Sequence, residues 1–375
     1  MEFVRPGTYI DFMRHRGAII GVSLALVTLS LVSLFVPGPN FGIDFAGGTE
    51  VQLRFKGNVE PGELRKLLED SGYRRPDVVA VEGAPNEYIV RVREVSSLPE
   101  AQRKAIQQAL GALGPKLTRF EVSPGGDKLA VQFDEDVDEA ALKQAVEGAG
   151  VHVKEVMRFG KKEEHRYELL LVGVADELVS QLQQKLGERG PETPRRVEWV
   201  GPKAGAQLRD AAVQAMLYAI AFIMVYVAFR FDLRFAPGGI VALLHDSLIT
   251  LGIYVLLQKE VNLTTVAALL TIVGYSINDT IVVYDRIREN MHRMKDTPLR
   301  ELINVSTSQM LSRTVVTSLT TLVSIAAFFV WGTPVIKDIT FALFVGILIG
   351  TYSSIYVAAP LTEWMDERFF RRGAA

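Results

Sequence analysis

Apolar residues form long runs near both ends of this chain: one run lies near the start, five lie in the second half, and a charged segment separates them. A run of about 20 apolar residues can cross the hydrocarbon core of a bilayer as a helix. The runs, numbered here as spans 1 to 6, are Gly17–Val36, Ala211–Phe229, Gly238–Leu257, Leu263–Tyr284, Thr314–Trp331 and Ile339–Leu361. This pattern predicts a membrane α-helical bundle of six transmembrane helices, in which residues 211–362 supply spans 2 to 6.

Span 1 follows Arg14 and Arg16, as the apolar part of a signal peptide would. Its apolar run is too long for a typical signal peptide, and no small-residue cleavage site follows it. We therefore expect residues 17–36 to form a retained membrane anchor.

The segment between spans 1 and 2 changes its hydrophobic period several times. Residues 51–55 alternate apolar and polar side chains, as in a half-buried strand, and residues 64–68 have the spacing of a helix face. The order βαββαβ is complete at residue 122 and is then repeated up to residue 200. The turn-like sequence SPGGD, residues 123–127, separates the two repeats. We predict an α+β insert of two successive ferredoxin-like units, residues 37–125 and 126–210; the alternative is one irregular α+β domain.

Lys and Arg are concentrated in alternate loops, and this asymmetry predicts the orientation in the membrane. One set of loops and termini carries Arg5, Arg14, Arg16, Arg230, Arg234, Arg286, Arg288, Arg293, Lys295, Arg300, Arg368, Arg371 and Arg372. The opposite short loops carry Lys259 and Lys337. We therefore expect residues 1–16 and 363–375 in the cytoplasm, residues 37–210 in the periplasm, and the spans in a bacterial inner membrane.

Composition and charge exclude several kinds of site and partner. The net charge of −2 gives no electrostatic basis for binding nucleic acid, and the absence of Cys excludes disulfides and thiolate metal sites. The acidic run DEDVDEA, residues 134–140, has the composition of a metal site, but it fits a solvated turn before a helix better. We predict no catalytic residues, no metal site and no cofactor.

Ionisable side chains inside the spans are the strongest functional signal, because each costs about 2.5–3.5 kcal/mol at the centre of a bilayer. Span 3 contains His245 and Asp246, span 4 contains Asn278 and Asp279, and span 5 begins with Arg313. Thr314, Thr317, Ser318, Thr321 and Ser324 follow at helical spacing, as one polar stripe. A carboxylate between an apolar interior and a cation can change protonation when its partner moves, as a proton relay requires.

We therefore predict Asp279 and Arg313 as proton-pathway residues, with Asn278, Asp246, His245 and Thr317 as supporting candidates. Structural alternatives exist for each signal. Asp279 could be a static partner of Arg313, and the polar stripe could be ordinary helix packing. Asp246 could only hold a helix contact with His245 or with a neighbouring Ser or Thr. Asp285 is expected at the membrane edge.

Five motifs together resemble the SecF family of the resistance–nodulation–division superfamily. They are FGIDFAGGTEVQLRF after span 1, VEWVGP before span 2, FRFDLRFAPGGIVALLHD across spans 2 and 3, GYSINDTIVVYDRIREN in span 4 and SRTVVTSLTTL in span 5. The resemblance implies pairing with SecD, a position beside the SecYEG channel, and use of the proton-motive force to promote translocation of secreted polypeptides. It also implies that Asp279 and Arg313 are the proton-pathway positions.

The insert departs from the family pattern, because one ferredoxin-like unit is usual there and this insert is long enough for two. Two rival functions remain at this stage. One is a proton-coupled exporter of small molecules or lipids, although the chain has only one six-span half. The other is a scaffold that conducts no protons and supports SecD.

Overall fold

A computed structural model describes residues 8–74, 76–81, 83–95, 98–123, 126–231 and 234–370, apart from the side chains of Lys162, Pro334 and Val335. Three of the cations used to predict orientation, Arg5, Arg371 and Arg372, lie outside the described residues. So do Pro124 and Gly125 of the predicted turn.

The described residues fold into helices and strands that are numbered here in chain order. The α-helices are α1 (Arg16–Ser33), α2 (Ile43–Ala46), α3 (Pro61–Glu69), α4 (Glu100–Gly111), α5 (Glu139–Gly148), α6 (Val174–Leu186), α7 (Pro202–Arg230), α8 (Ala236–Leu256), α9 (Leu263–Arg293), α10 (Leu299–Trp331), α11 (Pro334–Ser353) and α12 (Ala359–Met365). The strands are β1 (Asn40–Phe41), β2 (Gly48–Arg54), β3 (Asp77–Ala80), β4 (Glu87–Val92), β5 (Leu117–Val122), β6 (Lys128–Phe133), β7 (Val153–Arg158), β8 (Arg166–Leu171), β9 (Arg196–Val200) and β10 (Glu260–Val261).

The chain divides into two compact units: a helical unit, up to Gly42 and from Asp210 onward, and the insert, Ile43–Arg209. Within the described residues, six helices are long and apolar enough to cross a membrane, as predicted. Several exceed the predicted spans; α10, for example, begins at Leu299 rather than Thr314. Hydropathy detects only the apolar part of a helix, and polar turns continue the same hydrogen-bonding pattern beyond it.

Glycines allow the helices of the membrane bundle to approach one another closely. A Cβ on Gly238 of α8 would lie 2.6 Å from the carbonyl oxygen of Ala358, and a Cβ on Gly350 of α11 would lie 3.1 Å from Cβ of Ser276 on α9. A Cβ on Gly346 would collide with the side chain of Ile272. Helices in lipid have no hydrophobic driving force for association. Small residues at their crossings allow close packing, which stabilises the contact instead.

The first sheet of the insert has four strands in the order β3-β4-β2-β9, and all of its pairs are antiparallel. Its core contains Val51 and Leu53 of β2, Val90 of β4, and Leu178 and Leu182 of α6, all fully buried. The helices that cover this sheet are therefore α3 and α6.

The second sheet also has four antiparallel strands, in the order β5-β6-β8-β7. Its core combines Ile106 and Leu110 of α4 with Leu142 and Val146 of α5. The helices α4 and α5 therefore cover this sheet.

This pairing shows that the predicted division of the insert into residues 37–125 and 126–210 is wrong. The prediction assigned α4 and β5 to the first unit and α6 and β9 to the second, and the structure exchanges these two pairs. The second sheet and its helices, from α4 to β8, are thus nested in the chain: they are inserted between β4 and α6, which belong to the first sheet and its covering helices. Both arrangements have the same order of elements along the chain, and periodicity does not show which sheet an amphipathic helix covers.

The acidic run before α5 is anchored by Asp136. Its Oδ1 accepts hydrogen bonds from the Tyr167 hydroxyl and from Nη2 of Arg158, both at 2.5 Å. These contacts, the Tyr167 bond first, lower the pKa of Asp136 from 3.8 to about 2. Since the folded pKa lies below the unfolded one, the stabilisation is complete above about pH 4 and is lost as the pH falls toward 2.

We expect Asp136→Asn to remove this part of the pH dependence in the nested sheet. Hydrogen-exchange protection of β6 and β8, corrected for the intrinsic pH dependence of exchange, should fall between pH 4 and pH 2 in the wild type and change less in the variant. Glu135→Gln is the matched control, because Glu135 is an exposed neighbour with the same charge. If the wild type and Asp136→Asn had the same protection at every pH, Asp136 would not be the source of this pH dependence.

Candidate functional site

Asp279 is buried in the membrane bundle at a junction of three helices. It lies on α9 and is 2% exposed. Its Oδ2 accepts long hydrogen bonds from Oγ of Ser318 on α10 and Oγ1 of Thr351 on α11, each at 3.4 Å. Those two hydroxyls are 2.7 Å apart. The carboxyl group is thus held by hydroxyls, which can both donate and accept a hydrogen bond.

Arg313 lies on α10, before Ser318, and its side chain is exposed. Among the described residues, the side chains of Arg313 and Asp279 form no ion pair within 4.0 Å. The arrangement therefore differs from the static ion pair that was one of the alternatives.

Asp246 on α8 is a second buried carboxyl group in the bundle, and it is 0% exposed. Its Oδ2 accepts from Oγ of Ser276 at 2.5 Å and from Oγ of Ser353 at 2.7 Å, while its Oδ1 lies 2.9 Å from Nδ1 of His245. Asp246 therefore has shorter contacts, and more of them, than Asp279.

His245 connects this second carboxyl group to the surface of the bundle. The ring is 5% exposed, it stacks on Tyr352, and its Nε2 is buried without a hydrogen-bond partner. The same side chain lines a mainly apolar cleft of about 680 Å³ between α1, α8 and the end of span 6. With Nδ1–H directed to Asp246, Nε2 would be a proton acceptor beside this cleft.

The same two helices support both carboxyl groups. On α9, Ser276 contacts Asp246 and lies one helical turn before Asp279. On α11, Thr351 contacts Asp279 and Ser353 contacts Asp246. A relative movement of α9 and α11 would therefore change the contacts of both carboxyl groups together.

The structure does not bring the other supporting candidates to Asp279. Asn278 is exposed, although it precedes Asp279 in the sequence. Thr317 is exposed, and its hydroxyl donates to the backbone carbonyl groups of Arg313 and Thr314. Of the residues that contact the two carboxyl groups, Thr351 and Ser353 on span 6 were missed. Their signal was a run of four hydroxyl residues, Thr351–Ser354, directly after Gly350 in span 6.

The polar stripe of span 5 is divided between the interior and the surface. Thr314 and Ser318 are buried, whereas Arg313, Thr317 and Ser324 are exposed on α10. Ser324 donates to the carbonyl group of Thr320, one turn earlier. An Arg and several hydroxyls on the outer face of an apolar helix are unfavourable against lipid, so they suit contact with protein or water.

This architecture, six apolar helices around buried carboxyl groups with an α+β insert after the first helix, defines a multi-pass membrane protein. Comparison with known families identifies the family to which the chain belongs. The family model described as "Protein export membrane protein SecD/SecF, C-terminal" matches residues 181–368, and the "SecD/SecF GG Motif" model matches residues 32–59. The chain belongs to the SecF family and is an accessory subunit of Sec protein export.

Individual relatives agree along the whole chain. The chain is 40% identical to protein translocase subunit SecF of Magnetococcus marinus, covering 100% of this chain and 98% of the relative. It is 34% identical to SecF of Pseudomonas aeruginosa, covering 97% and 93%. The crystal structure of SecDF from Thermus thermophilus, described as a translocon-associated membrane protein, matches with a TM-score of 0.65 and 33% identity. That match covers 96% of this chain and 39% of the SecDF chain.

Proposed function

We propose that this chain couples proton movement through Asp279 to the translocation of secreted polypeptides. The observation that carries the proposal is the buried carboxyl group of Asp279, which contacts hydroxyls from two other helices and forms no ion pair within the described part of the chain. A buried ionisable group in a membrane helix marks a proton or substrate pathway more often than a structural contact.

The partner in this function is SecD. The chain spans 40% of the SecDF protein of Thermus thermophilus, at 35% identity, so related sequences join a SecF-like part to a further part in one chain. The outer face of α10 supports the same partner, because Arg313, Thr317 and Ser324 are exposed there. We place SecD against this face, where it would separate Arg313 from lipid.

We further infer the placement in the cell. The Lys and Arg asymmetry supports an orientation with both termini in the cytoplasm and residues 37–210 in the periplasm of a bacterium, with the helices in the inner membrane. There the insert would meet polypeptides that leave the SecYEG channel.

The sheet orders support two ferredoxin-like units in the insert. The first unit runs through β2, α3, β3, β4, α6 and β9. The second has the same spatial order if β6 is taken as its first strand and β5 as its last, so it is a circularly permuted version. We infer that it is inserted into the first unit.

The mechanism follows from the contacts of Asp279. Protonation of Asp279 removes its charge. Its single O–H then donates to one of the two hydroxyls, of Ser318 or of Thr351, both of which donate to the carboxylate before protonation. Arg313 approaches when the proton leaves and withdraws when it returns. One proton that crosses 100 mV supplies about 2.3 kcal/mol, so translocation of a long polypeptide uses many cycles.

The test is proton flux in proteoliposomes that contain this chain and SecD. With a potassium diffusion potential imposed, we expect proton uptake when both chains are present and only background uptake with either chain alone. Equal flux with SecD alone would contradict the proposal and support the scaffold function.

A further inference from the structure

A basic cleft lies at the end of the membrane bundle where α7 ends, α8 begins and α9 ends. Its volume is about 600 Å³. The residues that line it are Phe229, Arg230, Phe231, Arg234, Phe235, Arg288, Met291, His292 and Lys295. We call it the α7–α9 cleft. It is far along α9 from Asp279 and plays no part in the proton pathway proposed above.

The cations of the α7–α9 cleft differ from their neighbours on the same helix. Arg286 and Arg293 of α9 both form ion pairs with Glu289. Arg288 and Lys295, which line the cleft, form no ion pair among the described residues, and both are exposed.

The other wall of the cleft adds Arg230 and Arg234. The guanidinium of Arg230 lies 5.4 Å from the ring centre of Phe231, and Arg234 contacts Asp366 at 3.1 Å. No Asp or Glu is among the described residues that line the cleft. The described part of the concave surface therefore carries an excess of positive charge, of which Arg234 is paired with Asp366.

Apolar groups stand directly beside these cations. Phe229 is 89% exposed at the end of the apolar part of α7, and Phe231 and Met291 lie in the cleft wall. Phe229 ends a predicted membrane span, so it lies near the level where acyl chains meet headgroups. A free anion in water would satisfy the cations and leave Phe229 uncovered, whereas a lipid would satisfy both.

We propose that the α7–α9 cleft binds the headgroup of an anionic phospholipid. The phosphodiester contacts Arg230, Arg288 and Lys295, and the acyl chains cover Phe229. Basic pockets between helix ends are a recognised way for membrane proteins to bind acidic lipids. The bound lipid would link the end of α9, the helix that carries Asp279, to the end of α7.

The test compares phosphatidylglycerol with phosphatidylcholine of the same acyl chains, added to the purified full chain in a neutral detergent. Bound lipid is counted by native mass spectrometry. We expect tighter binding of phosphatidylglycerol to the wild type. The double variant Arg288→Gln/Lys295→Gln should weaken it about 30-fold, since each basic group near a membrane surface contributes about fivefold.

The control is Arg286→Gln/Arg293→Gln, which removes the same charge from the same end of α9 but from cations that are paired with Glu289. This control variant should retain most of the binding of phosphatidylglycerol. An equal loss in both double variants would show general attraction to acidic lipid and would overturn the site. Equal binding of the two lipids, or displacement of phosphatidylglycerol by inorganic phosphate at the same concentration, would overturn the proposed occupant.

Discussion

Replacement of Asp279 by Asn should reduce proton-dependent export to the level of cells that lack the chain, with the protein still present in the membrane at wild-type amounts. Asn has nearly the same shape, and its amide can keep contacts with Ser318 and Thr351. The amide of Asn cannot take up or release a proton near neutral pH. Export of a secreted reporter, measured with and without a protonophore, checks the result.

Asp285→Asn is the matched control, because it makes the same chemical change on the same helix at an exposed position. We expect near-normal export from this variant. Wild-type export from Asp279→Asn would eliminate the relay, while equal loss from both variants would indicate that any charge change in α9 disturbs the protein.

The membrane part of the fold could be predicted from the sequence because each span must satisfy its own backbone hydrogen bonds in lipid. Length and hydropathy therefore identify a membrane helix without knowledge of its neighbours. The limits of the prediction appear at Asn278. It adjoins Asp279 in sequence, yet successive residues of a helix are about 100° apart around the axis, and Asn278 is exposed while Asp279 is buried.

The contacts of the two buried carboxyl groups were harder to predict, because they depend on which helices pack together. Ser318 could be found from its place in the polar stripe of span 5. Thr351 and Ser353 follow Gly350, and their importance depends on the close approach of α11 to α9 at that glycine. One sequence shows that a small residue permits close packing, but it does not show which helix will be the neighbour.

The insert shows the same limit in a β-rich segment. The alternating pattern of β2 and the helical spacing in α6 are both local properties of the sequence. Their common core, in which Leu53 and Leu182 are fully buried, joins positions that are far apart in the chain. The prediction placed α6 with β6 to β8, the strands that directly precede it in the sequence. It was wrong because a local pattern does not show which distant strands a helix covers.

The nested arrangement predicts that two deletions of similar size will have opposite effects on folding. Removal of residues 96–171, with Val95 joined to Val172 by a short Gly-Ser linker, should leave the first sheet folded. Val95, Val172 and Val174 line the same small cleft, so the two cut ends are close together. All of the described core residues of the first sheet lie outside the deleted segment.

Removal of residues 126–195 should instead unfold the first sheet, because it takes away the whole of α6. Leu178 and Leu182 are fully buried in that core, and Leu186 is buried beside them. Loss of each buried Leu side chain costs about 2–5 kcal/mol, and a domain is stable by only about 5–15 kcal/mol. The backbone of α6 is lost as well, which leaves one face of the sheet uncovered.

Limited proteolysis and the steady-state amount of each variant in membranes distinguish these outcomes. We expect the first deletion to accumulate with a protease-resistant fragment that contains β2 and β9, which pair directly. The second should be degraded or cleaved within the remaining insert. Equal resistance of the two variants would contradict the nested arrangement. If the first variant is stable, its export activity then measures what the nested unit contributes, because folding and function have been separated.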